Sequence, residues 1–486
     1  MKRTLILGGP GAGKTHALID VARREIRDGT DPDRIAFVSF TKKAVTEARD
    51  RAKKDLSLVD NDLPYFRTIH STCFQALGLS RNRVLGRPHI WAIGRLLGIR
   101  ISGNLESEAG DIALAGDRML FLENLARSTG RSLRETWEAT VDPVPWYELL
   151  QFKETLDKYK EAHSLVDFAD MLSIFSGKDD PLDVDVAIVD EAQDLTAAQW
   201  KVVFVAFRNA KRIYFAGDDD QAIYEWSGAD VAQFLSIGVD DLQVLPESRR
   251  VPRSVAKIAN EIASRIGKRY DKKWKERDAD GRVERVASPS QVDLTTGSWY
   301  LLARNRCFLS PLEEECEYQG VPYSTRDGSS VSVEDIRTIR SYEGLRKGEH
   351  VGGADADKVA KALGRPIKSV DDAKMYRIED FTQERAPRIW HEAFDGMSAR
   401  KRAYYVAILR RGERITTRPR IHVDTIHGVK GGEADNVLLT VDQTARTEEG
   451  CIRNPDAEAR VFYVGATRAR ENLFLMSAQS DRYYGI

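Results

Sequence analysis

Residues 5–15 read Leu5-Ile6-Leu7-Gly8-Gly9-Pro10-Gly11-Ala12-Gly13-Lys14-Thr15, and a helix-forming stretch from His16 to Ile26 follows. An apolar strand, a glycine loop and a helix in that order are the setting in which G-x-x-x-x-G-K-[ST] reads as a phosphate-binding loop. Glycines such as Gly11 and Gly13 let successive backbone N–H groups turn toward phosphate oxygens, and the following helix offers them its positive end. Lys14 is then placed to reach the β- and γ-phosphates, and the Thr15 hydroxyl to hold Mg²⁺. The stretch predicts a nucleoside triphosphate site.

Working outward, short apolar or β-branched runs return at 35–38, 184–189, 212–215, 299–302 and 437–441, with helical patterns between them. That rhythm predicts an α/β protein with open parallel sheets built from βαβ units. It is broken from Gly78 to Ala162 and from Ser330 to Arg414, which read as mainly helical insertions into the sheet domains. There is no internal repeat.

Bulk properties bound the function. A chain of 486 residues has room for two to four domains. Its net charge of −1 means that a nucleic-acid partner would need a local groove rather than an overall basic surface. Cys73, Cys307, Cys316 and Cys451 form no C-x-x-C pair, which speaks against a zinc or iron–sulfur site and for a reducing compartment. The apolar run after Lys2-Arg3 is too short for a signal peptide, and no stretch is long enough for a membrane span. A soluble, cytoplasmic protein without a membrane partner is expected.

A second triphosphate signal lies at Val186-Ala187-Ile188-Val189-Asp190-Glu191-Ala192-Gln193-Asp194. A buried strand of this kind delivers its last carboxylates to the carboxyl edge of a parallel sheet, where open α/β folds bind ligands. Asp190 is suited to the Mg²⁺ shell beside Thr15, and Glu191 to polarising an attacking water. A further strand ends in Gly217-Asp218-Asp219-Asp220-Gln221, followed by Tyr224 and Trp226. The Gln221 amide could hydrogen-bond water and γ-phosphate together. Trp226 reads as a base-stacking platform rather than core packing, whereas Tyr224 fits either role.

Taken together, these blocks resemble the UvrD/Rep/PcrA group of superfamily 1 DNA helicases. The resemblance is carried by GGPGAGKT at 8–15, VSFTKKAVTEAR at 38–49, TIHS at 68–71, VDFADML at 166–172 and VDEAQDLTAAQ at 189–199. It continues through GDDDQAIYEWSGAD at 217–230, LPESRRVPRSV at 245–255, LLARNR at 301–306, GVPY at 320–323, TIHGVKGGEADNV at 425–437 and YVGATRARENL at 463–473, in the family's order.

The resemblance implies two RecA-like P-loop domains with the triphosphate in the cleft between them, each carrying an inserted helical subdomain. By match, the first domain covers 1–77 and 163–245, with an insertion at 78–162. The second covers 246–329 and 415–486, with a reduced insertion at 330–414. It implies ATP and Mg²⁺ as cofactors. Catalytic roles fall to Lys14, Asp190, Glu191, Gln221, Arg250 and the arginine finger Arg468. Nucleotide contacts fall to Gly11, Gly13, Lys14, Thr15, Arg249, Gly431 and Glu433, and Mg²⁺ to Thr15 and Asp190, partly through water. DNA contacts fall to Phe40, Thr41, His70, Tyr224, Trp226 and His427.

The implied activity is ATP-driven 3′→5′ translocation on single-stranded DNA with duplex unwinding. Implied partners are single strands, single-strand/duplex junctions and a protein of replication, repair or recombination, with the chain monomeric in isolation. A translocase that strips proteins or needs a partner to unwind stays open. An ATP-gated binding switch fits less well, because Glu191, Gln221 and Arg468 make a full hydrolytic set.

The chain departs from the pattern in four places. The family's adenine-reading glutamine upstream of the first strand has no counterpart, and Arg249 stands where relatives carry a stacking tyrosine; a guanidinium can also stack on a base. Ser227 replaces an arginine, and the second insertion is about half the usual size. Two basic runs remain, one at Lys268, Arg269, Lys272, Lys273, Lys275 and Arg277. The other comprises Arg385, Arg388, Arg400, Lys401, Arg402, Arg410, Arg411, Arg414, Arg418 and Arg420. Each reads equally as a solvated face or a strand-contacting surface.

Overall fold

The computed structural model describes residues 1–39, 42–56, 58–103, 112, 114–140, 144–365, 371, 373–383, 387–413 and 418–486. Phe40, Thr41, Arg385 and Arg414 lie outside them. The chain divides into two compact units, Met1–Gly281 with Thr444–Thr467 and Ile486, and Arg282–Gln443 with Arg468–Gly485.

The first unit is built on strands β1 (Lys2–Gly8), β2 (Ile35–Ser39), β3 (Phe66–Thr68), β4 (Val186–Asp190), β5 (Arg212–Gly217) and β6 (Asp241–Leu245). They form one parallel sheet in the order β3-β2-β4-β5-β1-β6. Leu5, Ile6 and Leu7 are at most 2% exposed and Val186 to Val189 are at 0%, so the central strands must be covered on both faces. Alternate residues divide between those faces. Leu5, Leu7, Val38, Val189 and Phe215 pack with Trp200, Val203, Met171 and Phe175 of the helices Ala197–Ala206 and Phe168–Lys178. Ile6, Phe37, Ile188 and Ala216 pack with Leu18, Ile19 and Ala22 of the helix Lys14–Arg27 and with Ala48 and Ala52 of Lys42–Leu56.

Register sets the functional edge. Leu7 lies opposite Gly217, and Ser39 opposite Asp190, so the glycine loop and both acid-tipped strands leave the sheet at one end. The helices Arg87–Leu97, Ala115–Thr129, Leu133–Ala139 and Trp146–Ala162 enclose their own core around Leu120, Leu122, Leu149, Phe152 and Leu156. A parallel pair, β7 (Glu247–Pro252) and β8 (Lys275–Arg277), and the helices Arg253–Ala263 and Pro455–Ala466 also belong to this unit.

The second unit holds β9 (Arg282–Val286), β10 (Trp299–Ala303), β11 (Tyr323–Thr325), β12 (Gly328–Ser329), β13 (Ile421–Thr425), β14 (Ala434–Thr440) and β15 (Ala469–Met476). Their order is β12-β11-β13-β10-β14-β15-β9, parallel except for the β11–β12 pair. Leu301, Val423 and Leu438 on this sheet share a core with Tyr342, Leu345, Trp390 and Tyr405 from the helices Val333–Arg346, Trp390–Ala393 and Ala399–Arg410. The predicted α/β class with parallel sheets holds in both units.

Candidate active site

The glycine loop turns because two of its residues are left-handed. Gly11 has φ 70° and Gly13 φ 82°, the latter sitting at the N-cap of the helix Lys14–Arg27. A side chain at Gly11 would also run into Cβ of Arg250. Lys14 Nζ donates to Gly8 O at 2.9 Å, folding the lysine back over the loop.

Beside it, Thr15 Oγ1 donates to Asp190 Oδ2 at 3.1 Å, joining two motifs 175 residues apart. Asp190 is fully buried, and desolvation together with Glu191 pushes its carboxyl up to about 7 despite Lys14 nearby. A hydroxyl beside a buried carboxylate suits a hard divalent cation, and Thr15 and Asp190 would hold it there and let it neutralise phosphate charge. Among the described residues no cluster of three or more His, Cys, Asp or Glu side chains competes for that role.

Glu191 has φ 51°, an uncommon conformation for a residue with a side chain, at the turn where a water-activating group is expected. A short relay leads away from it. Gln193 Nε2 donates to Glu191 Oε2 at 2.5 Å, Asp218 N donates to Gln193 Oε1 at 3.1 Å, and Gln221 Nε2 donates to Asp218 Oδ2 at 2.6 Å. The predicted Lys14, Thr15, Asp190, Glu191 and Gln221 therefore gather at one sheet edge.

Arg249 and Arg250 lie on β7, which runs against the loop: Arg249 N donates to Gly11 O at 3.0 Å and Ser248 Oγ to Pro10 O at 2.6 Å. Both arginines are thus in the same compact unit as the glycine loop. The Trp274 ring packs on Gly9, where an added Cβ would come within 2.7 Å of it.

Of the expected DNA contacts in this unit, His70 is half-buried and edge-on to Phe168 at 5.4 Å, and burial holds its imidazole down at about 4. Trp226 stacks on Phe121 of the helical insertion, with centroids 6.2 Å apart and planes at 16°, and Tyr224 is 6.5 Å from it. The tryptophan therefore packs on one face while staying half-exposed. The expected contacts Phe40 and Thr41 lie outside the described residues.

In the second unit Arg468 is 1% exposed and its Nη1 donates to Gly432 O at 3.1 Å. Gly431 is left-handed at φ 79°, and Glu433 pairs with Arg470 at 3.2 Å, so the three predicted residues share one loop region. His427 occupies the turn after β13, which is closed by Gly428 N donating to Thr425 O at 3.0 Å.

Several residues went unread in the sequence. Asp218, Asp219 and Asp220 are all at 0% exposure, and Lys272 lies among them. Arg269 grips Asp220, and Arg460, 3% exposed, donates to Asp219 O and pairs with Glu225. Lys272 and Arg269 thus pair with these aspartates, and burial removes Lys272 from the solvated or strand-contacting alternatives. Three successive acids at the end of an apolar strand were the available signal, since such a group needs cations to be buried.

Residues 1–240 match the model of the UvrD/REP helicase N-terminal domain, and residues 407–480 that of the UvrD-like helicase C-terminal domain. The chain is 24% identical over 317 residues to the ATP-dependent DNA helicase Rep of Buchnera aphidicola, covering 60% of this chain and 45% of that protein. It is 26% identical over 304 residues to the ATP-dependent DNA helicase PcrA of Bacillus subtilis, covering 56% and 39%. The chain thus spans less than half the length of these relatives. A solved arterivirus nonstructural protein 10 (helicase) aligns with 99% of this chain and 60% of its own at 10% identity and a TM-score of 0.37. With the loop, the acid-tipped strands and both domain models matched in order, the chain belongs to the UvrD/Rep family of superfamily 1 helicases.

Proposed function

We propose that the chain is a DNA-stimulated ATPase that translocates 3′→5′ along single-stranded DNA and separates duplex strands at junctions. The observation that carries the reading is the meeting of Thr15 and Asp190 at 3.1 Å beside Lys14, in a chain of this family. Thr15 and Asp190 would hold Mg²⁺, which when bound neutralises charge on the β- and γ-phosphates. Lys14 and the loop N–H groups bind the phosphates, Glu191 orients and deprotonates water, and Gln221 registers the γ-phosphate. Arg250 and Arg468 stabilise charge developing on the transferred phosphoryl group, while Arg249, Gly431 and Glu433 contact base and sugar. Tyr224, Trp226, His70, His427, Phe40 and Thr41 grip the strand without reading sequence.

The two RecA-like domains with helical insertions, in the bounds given above, are part of this proposal. So are a cytoplasmic location, a monomeric state and a replication, repair or recombination partner. The test is strand separation on duplexes with a 3′ or a 5′ single-stranded tail, with Lys14→Ala as control. Opening of the 3′-tailed duplex alone, lost in the variant, supports the proposal. Hydrolysis stimulated by single strands without opening of either duplex would instead identify a translocase, the reading favoured by the short 330–414 segment.

A further inference from the structure

At the end of β5 three carboxylates are buried side by side, and one ammonium group meets all of them. Lys272 Nζ lies 3.0 Å from Asp218 Oδ1 and 2.9 Å from Asp220 Oδ2, and also pairs with Asp219; its side chain is 1% exposed. Arg269 braces the outer member, donating from Nε and Nη2 to the two oxygens of Asp220 at 2.9 and 2.5 Å. The contacts of these two cations differ in a way that matters. Arg269 reaches Asp220, whereas Lys272 also reaches Asp218, whose other oxygen accepts from Gln221 Nε2 at 2.6 Å. The backbone N–H of Asp218 in turn holds Gln193, which donates to Glu191. A carboxylate at 0% exposure cannot be oriented by solvent, so the Asp218 rotamer is set by Lys272 and by Asp220 N, which donates to Oδ1 at 3.2 Å.

We propose that Lys272 is a positioning residue for triphosphate hydrolysis: by fixing the Asp218 carboxylate it holds the Gln221 amide, and the turn that carries it, in the geometry needed at the γ-phosphate. The role rests on the ATPase reading above. A buried lysine serving stability alone would need only to neutralise the aspartates. One acting through Gln221 must lose its effect on turnover when Gln221 is gone.

A double-mutant cycle in ATP hydrolysis, with saturating oligo-dT, separates the two. Lys272→Met is expected to lower kcat about 10- to 100-fold, with KM for ATP changed by less than about threefold. Added to Gln221→Ala, the same substitution should lower kcat by less than about twofold further, while its loss of thermal stability persists. Arg269→Met, which removes a cation from the same cage without touching Asp218, should keep kcat within about threefold of the unsubstituted chain. Independent, multiplying effects of Lys272→Met and Gln221→Ala would overturn the proposal, as would an equal kcat loss in Arg269→Met. If Lys272→Met does not fold, Asp218→Asn takes its place in the cycle, because it keeps the shape and lightens the buried charge, and the same criterion applies. Absence of Lys14-dependent hydrolysis in the unsubstituted chain would remove the ATPase reading and this role with it, a result visible before any cage variant is made.

Discussion

Replacing Arg460 with methionine tests whether the turn after β5 is held by side chains that lie more than 200 residues away in sequence. Arg460 uses all three of its nitrogens: Nε donates to Asp219 O at 2.9 Å, Nη2 to Lys268 O at 2.7 Å, and Nη1 pairs with Glu225 at 2.7 Å. Methionine fills much of the same volume, so the loss is mainly polar. Each stranded carbonyl costs about 1–3 kcal/mol. The ion pair adds about 1 kcal/mol, discounted because the Glu225 side chain is 26% exposed. The contacts share one side chain and do not add fully, so the expected loss is about 3–5 kcal/mol. For a unit of roughly 300 residues this lowers the melting temperature by about 5–8 °C. Differential scanning calorimetry on the full chain, with Arg460→Lys as companion, reads the effect. Lysine can keep only part of the fork and should recover less than half of the loss. A shift below about 2 °C, or full recovery by lysine, would show that the Arg460 fork does not hold this turn.

Gly11→Ala places a side chain at φ 70° and against Arg250, so it should abolish binding of a fluorescent ATP analogue and also lower the melting temperature by about 2–4 °C. Binding retained at wild-type strength would mean that the loop does not need this conformation. Trp226→Ala should weaken single-strand binding by about 1–3 kcal/mol, read by fluorescence anisotropy with a labelled oligonucleotide. Lost stability at unchanged DNA affinity would instead assign Trp226 to packing on Phe121. Asp167 accepts from Arg127 at 2.7 Å and Lys160 at 2.8 Å, which hold its carboxyl down at about 2 against its burial. A depressed carboxyl stabilises the fold above its unfolded-state value and loses that contribution as pH falls toward the folded value. The stability advantage of the wild type over Asp167→Asn, of order 2 kcal/mol, should therefore be complete above about pH 5 and shrink as pH is lowered. An advantage independent of pH between 6 and 3 in urea titrations would contradict this assignment.

How much of this was legible in the sequence depends on the range over which each feature is encoded. The glycine loop is local: Gly11, Gly13, Lys14 and Thr15 are neighbours, and the strand before them and the helix after them are readable from the same window. Asp190 was reachable because it ends β4, and Gln221 because it lies in the turn just after β5; apolar runs mark both strands as central, and parallel sheets collect such ends at one edge. The cage around Asp218 was not reachable by the same reasoning. Lys272 sits in a run of lysines and arginines whose composition is that of a solvated surface, and its partners lie some fifty residues upstream. Nothing in a local window separates a lysine that faces water from one that neutralises three buried aspartates.

The acids themselves carried the missing half of that information. Asp218, Asp219 and Asp220 follow an apolar strand directly, and three adjacent carboxylates at the end of a central strand can stay ionised inside a fold only if cations come to them. Lys272 and Arg269 are the cations that reach these carboxylates, both from the segment after β7, while Arg460 of the helix Pro455–Ala466 meets the main-chain oxygen of Asp219. Burial splits the triplet electrostatically. Asp218, between Lys272 and Lys14, is held below the ordinary carboxylate range, whereas desolvation and its two acidic neighbours push Asp220 up to about 6. Of Asp218 and Asp220, the carboxylate held down is the one that bonds Gln221. That ordering fits an arrangement that protects the hydrogen bond at the nucleotide edge and leaves the outer acid to absorb the strain of shared charge. Neutralising Asp220 alone, by Asp220→Asn, should therefore raise stability or leave it unchanged while hydrolysis persists. Asp218→Asn should cost turnover even if stability rises, and equal loss of turnover in both variants, measured by steady-state hydrolysis, would show that the triplet acts as one undivided charge.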